Sequence, residues 1–204
     1  MATRKYEQRL RAEAAEETRR RILAALEEQL REEPAQPVSL EQVARRARVS
    51  RSTIYLIFGT RSGLFEAFAD DLFERAGRRH PVDAVAHPDA REHMRGGVRA
   101  GIEMFAHVRD VARALFSMAA LDDEAEGGAI RRIEDRRARG MARVARLLAE
   151  QGVLRPDVTA DEAADLLWVL TSFDSFDLLY TGRGLPVDEV VRVLTATAER
   201  SLCR

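Results

Sequence analysis

The chain has 204 residues, 46% of them hydrophobic and 33% charged, with a net charge of −1. That is too apolar for a disordered chain, and long enough for one large domain or two smaller ones. The single cysteine, Cys203, excludes an internal disulfide and a cysteine zinc site. No run of about 18 apolar residues is present to cross a membrane. Residues Met1 to Glu7 lack the apolar stretch of a signal peptide, so a cytoplasmic location is expected. The charge is unevenly spread. Residues 1–79 carry 16 Lys and Arg against 13 Asp and Glu, and residues 38–63 hold Arg45, Arg46, Arg48, Arg51 and Arg61 against Glu41 alone. A basic N-terminal third on a near-neutral chain points to an anionic partner for that third.

Ala, Leu, Arg and Glu dominate and alternating β-branched runs are missing, so the predicted fold class is all-α. A first helix is predicted over 4–32, with Ile22, Leu23, Leu26 and Leu30 on one face, ended by Pro34 and Pro37. Its Arg4, Lys5, Arg9 and Arg11 form either a minor-groove arm or a solvated face interleaved with Glu7, Glu13, Glu16 and Glu17. Short helices follow at 40–47, 51–58 and 61–79. A linker from His80 to Pro88 separates an N-terminal domain, 1–79, from a larger C-terminal one, 80–204. Helices in the latter are predicted at 89–108, 110–120, 128–151, 160–181 and 187–203.

Residues 38–58 carry two helix starts in quick succession. Ser39 is an N-cap whose capping box is completed by Gln42, with Val38 and Val43 at the hydrophobic-staple positions. Ser50 is a second N-cap, with Val49 and Ile54 at the same two positions. A short helix, a turn of about three residues and a second capped helix form the helix-turn-helix plan, in which the second helix enters the DNA major groove by its N-terminal end. Arg51, Ser52 and Thr53 occupy that end, where an arginine meets a guanine edge and a hydroxyl addresses several bases. Tyr55 offers a hydroxyl to a phosphate, and Thr60 caps the next helix with Arg61 in its first turn, a phosphate-holding arrangement. A bare corner of a helical bundle has the same spacing.

The stretch from Ser39 to Leu64 resembles the DNA-binding segment of the TetR family of transcriptional repressors. The matching residues are Val43-Ala44, Val49-Ser50, Thr53-Ile54-Tyr55 with Phe58, and Thr60-Arg61 with Leu64. In length and helix count the resemblance runs over the whole chain. It implies a three-helix DNA-binding head on a larger helical body that binds ligand and dimerises. It further implies base reading by Arg51 to Thr53 and phosphate contacts from Tyr55 and Arg61, with Ser39 and Arg48 completing the expected DNA-contacting set. Two departures stand out. Arg48 occupies the turn position where the family usually has glycine, and a left-handed backbone there costs an arginine about 1–2 kcal/mol. Leu56 and Ile57 stand where the family favours a polar residue, which removes a polar contact and offers an apolar one to a thymine methyl.

In the body, Leu167, Leu170 and Phe176 on 160–181, with Val190, Val191, Leu194 and Ala198 on 187–203, are the expected dimer interface, a four-helix bundle in the resemblance. Filling the chain's own core is the competing use of these residues. The expected effector pocket draws on Met104, Phe105, Phe116, Met118, Met141, Trp168, Phe173 and Asp174, large or adaptable side chains on helices that wall the family's pocket. Asp174 and Asp177 lie within an apolar helix and meet either a cationic or hydroxylated ligand or an arginine across the dimer. Gly96, Gly97 and Gly101 leave room for a ligand or for a crossing helix. Enzyme readings are weak. The acidic run Asp122-Asp123-Glu124-Ala125-Glu126 loosely resembles a Mg²⁺–diphosphate motif of terpene synthases, Glu103 and His107 are spaced as a metal pair, and nothing resembles a nucleophile elbow. No enzyme activity, metal or cofactor is therefore expected. The expected function is a homodimeric repressor released from a palindromic double-stranded operator by a small-molecule effector, with no membrane partner. The alternative is a dimeric ligand-binding protein whose head no longer binds DNA.

Overall fold

The computed structural model describes residues 2–34, 36–77, 87–119 and 126–204, and within them the side chains of residues 2–5, 7–9, 11, 119, 126 and 127 are not described. The acidic run at 122–126, most of the linker at 80–88 and the basic side chains of Arg4, Lys5, Arg9 and Arg11 thus lie outside the described residues. The helices are α1 (Ala2–Glu32), α2 (Leu40–Arg46), α3 (Arg51–Phe58), α4 (Arg61–Gly77), α5 (Ala90–Ala119), α6 (Glu126–Glu150), α7 (Ala160–Leu170), α8 (Phe173–Asp177) with a π-turn at Leu178–Gly182, and α9 (Val187–Leu202). They pack as two units: Met1–Asp70 with Arg113–Ile130, and Asp71–Ala112 with Arg131–Arg204.

In the first unit, Ile22, Leu23, Leu26 and Leu30 of α1 are buried with Leu40, Val43, Ala44, Ala47 and Ile54 of the following corner. Gln42 N–H donates to Ser39 Oγ at 3.3 Å, but the second half of the expected capping box goes elsewhere. Gln29 of α1, 2% exposed, accepts the Ser39 N–H at 3.0 Å and donates to the Ser39 carbonyl at 3.2 Å, with its amide oriented as these bonds require. A buried amide on α1 thereby holds the start of α2 by its backbone.

The turn after α2 is a Schellman motif. Val49 N–H donates to the Ala44 carbonyl at 2.9 Å and Arg48 N–H to the Arg45 carbonyl at 3.1 Å, which satisfies two carbonyls that a helix end leaves open. The motif requires a left-handed residue at position 48, and Arg48 has φ 54°, the one positive-φ non-glycine among the described residues. The same two bonds recur after α6, where Val153 N–H donates to Leu148 and Gly152 N–H to Ala149. There the left-handed residue is Gly152, φ 64°. One chain thus holds the motif with its usual residue and with a strained one.

A second close approach joins α3 to α4. A Cβ on Gly63 would lie 2.2 Å from the Phe58 carbonyl oxygen, so only glycine lets the two backbones meet. Thr60 caps α4 as expected, its Oγ1 accepting from Gly63 N–H at 2.9 Å.

The second unit has its core where Ala90 and Met94 meet Ala145, Leu148, Leu154, Ala163, Leu167, Ala198 and Leu202. Two expected elements differ from the structure. The break expected between 108 and 110 is absent, and α5 runs on, because neither Arg109 nor Asp110 stops a helix. The helix expected over 160–181 is instead interrupted at Thr171-Ser172. Ser172, in extended backbone, restarts the helix by accepting from Ser175 N–H at 3.1 Å. Arg109 uses its place inside α5 to reach Asp177, whose side chain is 3% exposed: Nε donates to Oδ1 at 2.8 Å, and Thr181 Oγ1 donates to the same oxygen at 2.7 Å. The buried aspartate is paired with an arginine of its own chain rather than with one across a dimer. At the chain end, Leu154 and Cys203 form an isolated β-bridge, and burial raises the Cys203 thiol pKa above its ordinary value.

Three outcomes follow for urea or thermal unfolding. Arg48→Gly stabilises the protein by about 1 kcal/mol, because glycine removes the left-handed penalty. Gly63→Ala destabilises by about 1–3 kcal/mol, as expected of a side chain forced into filled space. Asp177→Ala costs about 1–3 kcal/mol through lost charged hydrogen bonds, since the part-exposed Arg109 keeps Asp110 as a partner, and the double change Arg109→Met with Asp177→Leu recovers most of that loss.

Candidate nucleic-acid interface

The segment from Ser39 through α3 carries every residue expected to contact DNA except Arg61, which begins α4. Ser50 N-caps α3 by accepting from Thr53 N–H at 3.1 Å, and its hydroxyl lies 2.7 Å from Ser52 Oγ and 2.8 Å from Thr53 Oγ1. These three hydroxyls form one cluster at the N-terminal end of α3. Ile54, 1% exposed, is the anchor of α3 in the core, and Arg51, Ser52, Tyr55 and Leu56 face outward. Ser39 has its hydroxyl engaged in the N-cap of α2.

The five arginines of 38–63 divide by partner. Arg46 is held by Glu32 (2.6 Å) and Glu28 (3.2 Å) of α1. Hydrogen bonding to these two carboxylates, Glu32 first, raises the Arg46 pKa, and Arg46 in turn lowers that of Glu32. Arg61 Nη1 donates to the Val38 carbonyl at 3.0 Å, and its guanidinium lies 5.2 Å from the Phe65 ring centroid. It therefore ties α4 to the segment ahead of α2, an internal role the sequence did not disclose. Arg45, Arg48 and Arg51 are exposed and make no side-chain hydrogen bond or ion pair among the described residues. Their charge is available to an external anion.

The effector candidates are not brought together as one set. Phe116 and Met118 belong to the first unit, the other six to the second. Phe105 and Phe173 do meet, with ring centroids 5.4 Å apart. Phe105 is also within 6.1 Å of Phe73 and 6.0 Å of Phe176, and Tyr180 stacks on Phe176 at 5.1 Å. Trp168, 40% exposed, lies under the Arg137 guanidinium at 5.2 Å. Arg137 also donates to Thr171 Oγ1 at 3.0 Å, and that hydroxyl lies 3.6 Å from the Met141 sulfur. Met104 is half-buried, and Asp174 is exposed in the first turn of α8, away from the buried aromatics.

Two open grooves lie in the second unit, and neither is lined by any of the eight candidates. One, of about 540 Å³, runs between α5 and α9 past Arg95, Gly96, Arg99 and Thr195. The other, of about 600 Å³, is bordered by Arg109, Tyr180 and Leu185. A Cβ on Gly97 or Gly101 would meet nothing within 4 Å, so neither glycine is there to admit a crossing helix.

The residues expected at the dimer interface pack mostly inside the chain's own core. Leu167, Phe176, Val190, Val191, Leu194 and Ala198 are all at most 5% exposed within the single chain, and Leu170 is half-buried. The six side chains are enclosed by the chain's own core. Trp168, Val169 and Leu178 are the large apolar side chains that remain exposed on these elements. The apolar period of these helices marks their inward face. Glu103 accepts from Arg99 at 3.2 Å, and no group of three metal-ligating side chains occurs among the described residues. No helix among them is long and apolar enough to cross a membrane.

Comparison with known proteins agrees with this geometry. Residues 22–68 match the model of the family described as bacterial regulatory proteins, tetR family. No curated protein matches the chain. Among solved structures the fold is similar to that of NalD, the secondary repressor of the MexAB-OprM multidrug efflux pump in Pseudomonas aeruginosa. The TM-score is 0.71 at 23% identity, covering 94% of this chain and 98% of that one. It is similar also to a transcriptional regulator from Saccharomonospora viridis solved in complex with choline (TM-score 0.71, 22% identity, 93% and 99% covered). A third is the ketosteroid transcriptional regulator KstR2 of Mycobacterium tuberculosis (TM-score 0.62, 17% identity, 91% and 95% covered). The helix-turn-helix segment thus matches the tetR family model in sequence, and the fold is similar to that of these regulators over nine-tenths of the chain.

Proposed function

We propose that the protein is a homodimeric repressor that binds a palindromic DNA operator through α3 and leaves it when a small molecule binds the C-terminal domain, residues 80–204. The observation that carries this reading is the outward face of the helix-turn-helix. Arg51, Ser52 and Tyr55 project from α3, and Arg45, Arg48 and Arg51 have no acidic partner among the described residues. Arg51 reads a guanine edge, while Tyr55 and Arg61 hold phosphates that fix register. Arg61 is suited to this because the Val38 carbonyl engages one of its two terminal nitrogens and holds the guanidinium in place.

Dimerisation is supported by geometry and by exposure. Two recognition helices must meet half-sites about 34–36 Å apart or a multiple of that distance. Trp168, Val169 and Leu178, left exposed on α7 and the π-turn, supply an apolar face for the second copy. A small-molecule effector is supported by the choline complex of the Saccharomonospora viridis relative. Effector binding acts through α4, which carries residues of both units. The ligand must favour one separation of the two heads by its own differential affinity. Action on DNA in the cytoplasm completes the reading.

Selection of bound duplexes from a random pool tests it, followed by affinity against salt. A palindrome is expected to emerge, bound by two chains, with affinity falling steeply as salt rises. Arg51→Ala relaxes preference at one base pair and costs about 1–3 kcal/mol there. Arg61→Ala weakens all duplexes alike and flattens the salt slope by about one. A pool that yields no enriched sequence would instead support the ligand-binding protein without DNA recognition.

A further inference from the structure

We infer that Leu56 is a base-reading residue of this protein, contacting the 5-methyl group of a thymine in the major groove. This rests on the DNA-binding reading above and gives it a chemical specificity. The argument begins with the turn of the helix. Ile54 is 1% exposed and marks the buried side of α3. Two residues along an α-helix amount to a rotation of about 200°, so Ser52 and Leu56 both stand nearly opposite Ile54, on the ridge farthest from the core. The burial pattern agrees. Leu56 is 85% exposed, Tyr55 is 40% exposed, and Ile57, which lies round toward the core side, is half-buried.

An exposed leucine is ordinary on a protein surface. On this ridge it has a restricted set of partners. The hydroxyls of Ser52 and Thr53 are already joined to Ser50 Oγ in the capping cluster. Arg51 carries the only charge on α3. Leucine neither donates nor accepts a hydrogen bond, and it gains nothing from a phosphate. Of the groups that the four base pairs present in the major groove, the thymine methyl is the one apolar group. The exposed side of α3 thus holds one side chain matched to guanine, Arg51, and one matched to thymine, Leu56, five residues or about 1.4 helical turns further on.

The test uses duplexes selected from the random pool, remade with deoxyuridine at each thymine in turn. Deoxyuridine removes the methyl and leaves every hydrogen-bonding group in place. At one thymine per half-site the wild-type protein is expected to lose about fourfold in affinity, the effect of one buried methyl-sized group. 5-Bromouracil, whose bromine fills the methyl's place, restores it. Leu56→Ala binds the thymine duplex about as weakly as the wild type binds the uracil one and ignores the exchange. Its salt slope stays at the wild-type value, because no ionic contact is lost. Its thermal midpoint is also unchanged, since the side chain is outside the core. The inference is overturned if no single methyl matters to the wild type, or if Leu56→Ala keeps the wild-type ratio between thymine and uracil duplexes. A pool with no enriched duplex overturns the DNA-binding reading itself, an outcome distinct from enrichment with indifference to the methyl.

Discussion

Two backbone hydrogen bonds, from Val49 to Ala44 and from Arg48 to Arg45, decide the course of the chain between α2 and α3. They close the end of α2, turn the backbone through a left-handed residue, and deliver Ser50 in the extended conformation an N-cap needs. From Ser50 the first turn of α3 follows, and from that turn the outward placement of Arg51, Ser52 and Leu56. The surrounding contacts keep this corner in place. Gln29 grips the backbone of Ser39 from α1, Arg61 grips the Val38 carbonyl from α4, and the glycine at 63 lets α4 start against the end of α3. The left-handed arginine is a local cost that the motif as a whole offsets.

The second unit is organised around a different constraint. A carboxylate at 177 is buried, and a buried carboxylate needs partners. Arg109 meets it from the middle of α5 and Thr181 from the π-turn. The wide π-turn, rare in proteins, places Thr181 four residues after Asp177 with its hydroxyl on the same oxygen. Close by in the same unit, the Phe105–Phe173–Phe176 rings fill the core, so polar and aromatic packing share one region.

The sequence made the head more legible than the body, for a physical reason. Caps, staples and turns are local, and Ser39, Ser50, Thr60, Val43 and Ile54 could be placed by counting residues. Even the strain at Arg48 was visible as an arginine where glycine usually stands. What counting cannot supply is the long-range partner. Gln29 taking the Ser39 N–H in place of Gln42, and Arg61 bonding Val38, depend on how α1 and α4 lie against the corner. In the body, the apolar period of 160–181 ran straight across Thr171-Ser172. Only the serine that caps α8 betrayed the interruption. Periodicity gives the face of a helix that is apolar, and the chain's own core has first use of it. For that reason Leu167, Val190 and Leu194 proved buried, and the exposed apolar surface of these elements was left to Trp168, Val169 and Leu178.

Position 48 also bears on how such a sequence can vary. Apart from glycine, and to a lesser degree asparagine and aspartate, and leaving out proline and the β-branched residues that this backbone disfavours further, residues there carry a similar conformational penalty. Substitution among the remaining types is therefore close to neutral for folding, and the identity of the side chain is left open to another pressure. Arginine contributes a solvent-facing positive charge beside Arg51, in a region with few acids. A population of related sequences would then divide at this site into two kinds, one holding glycine for stability and one holding a cation for electrostatic potential. Laboratory evolution for heat resistance would tend to convert the second kind into the first, trading attraction for anions against tolerance of temperature.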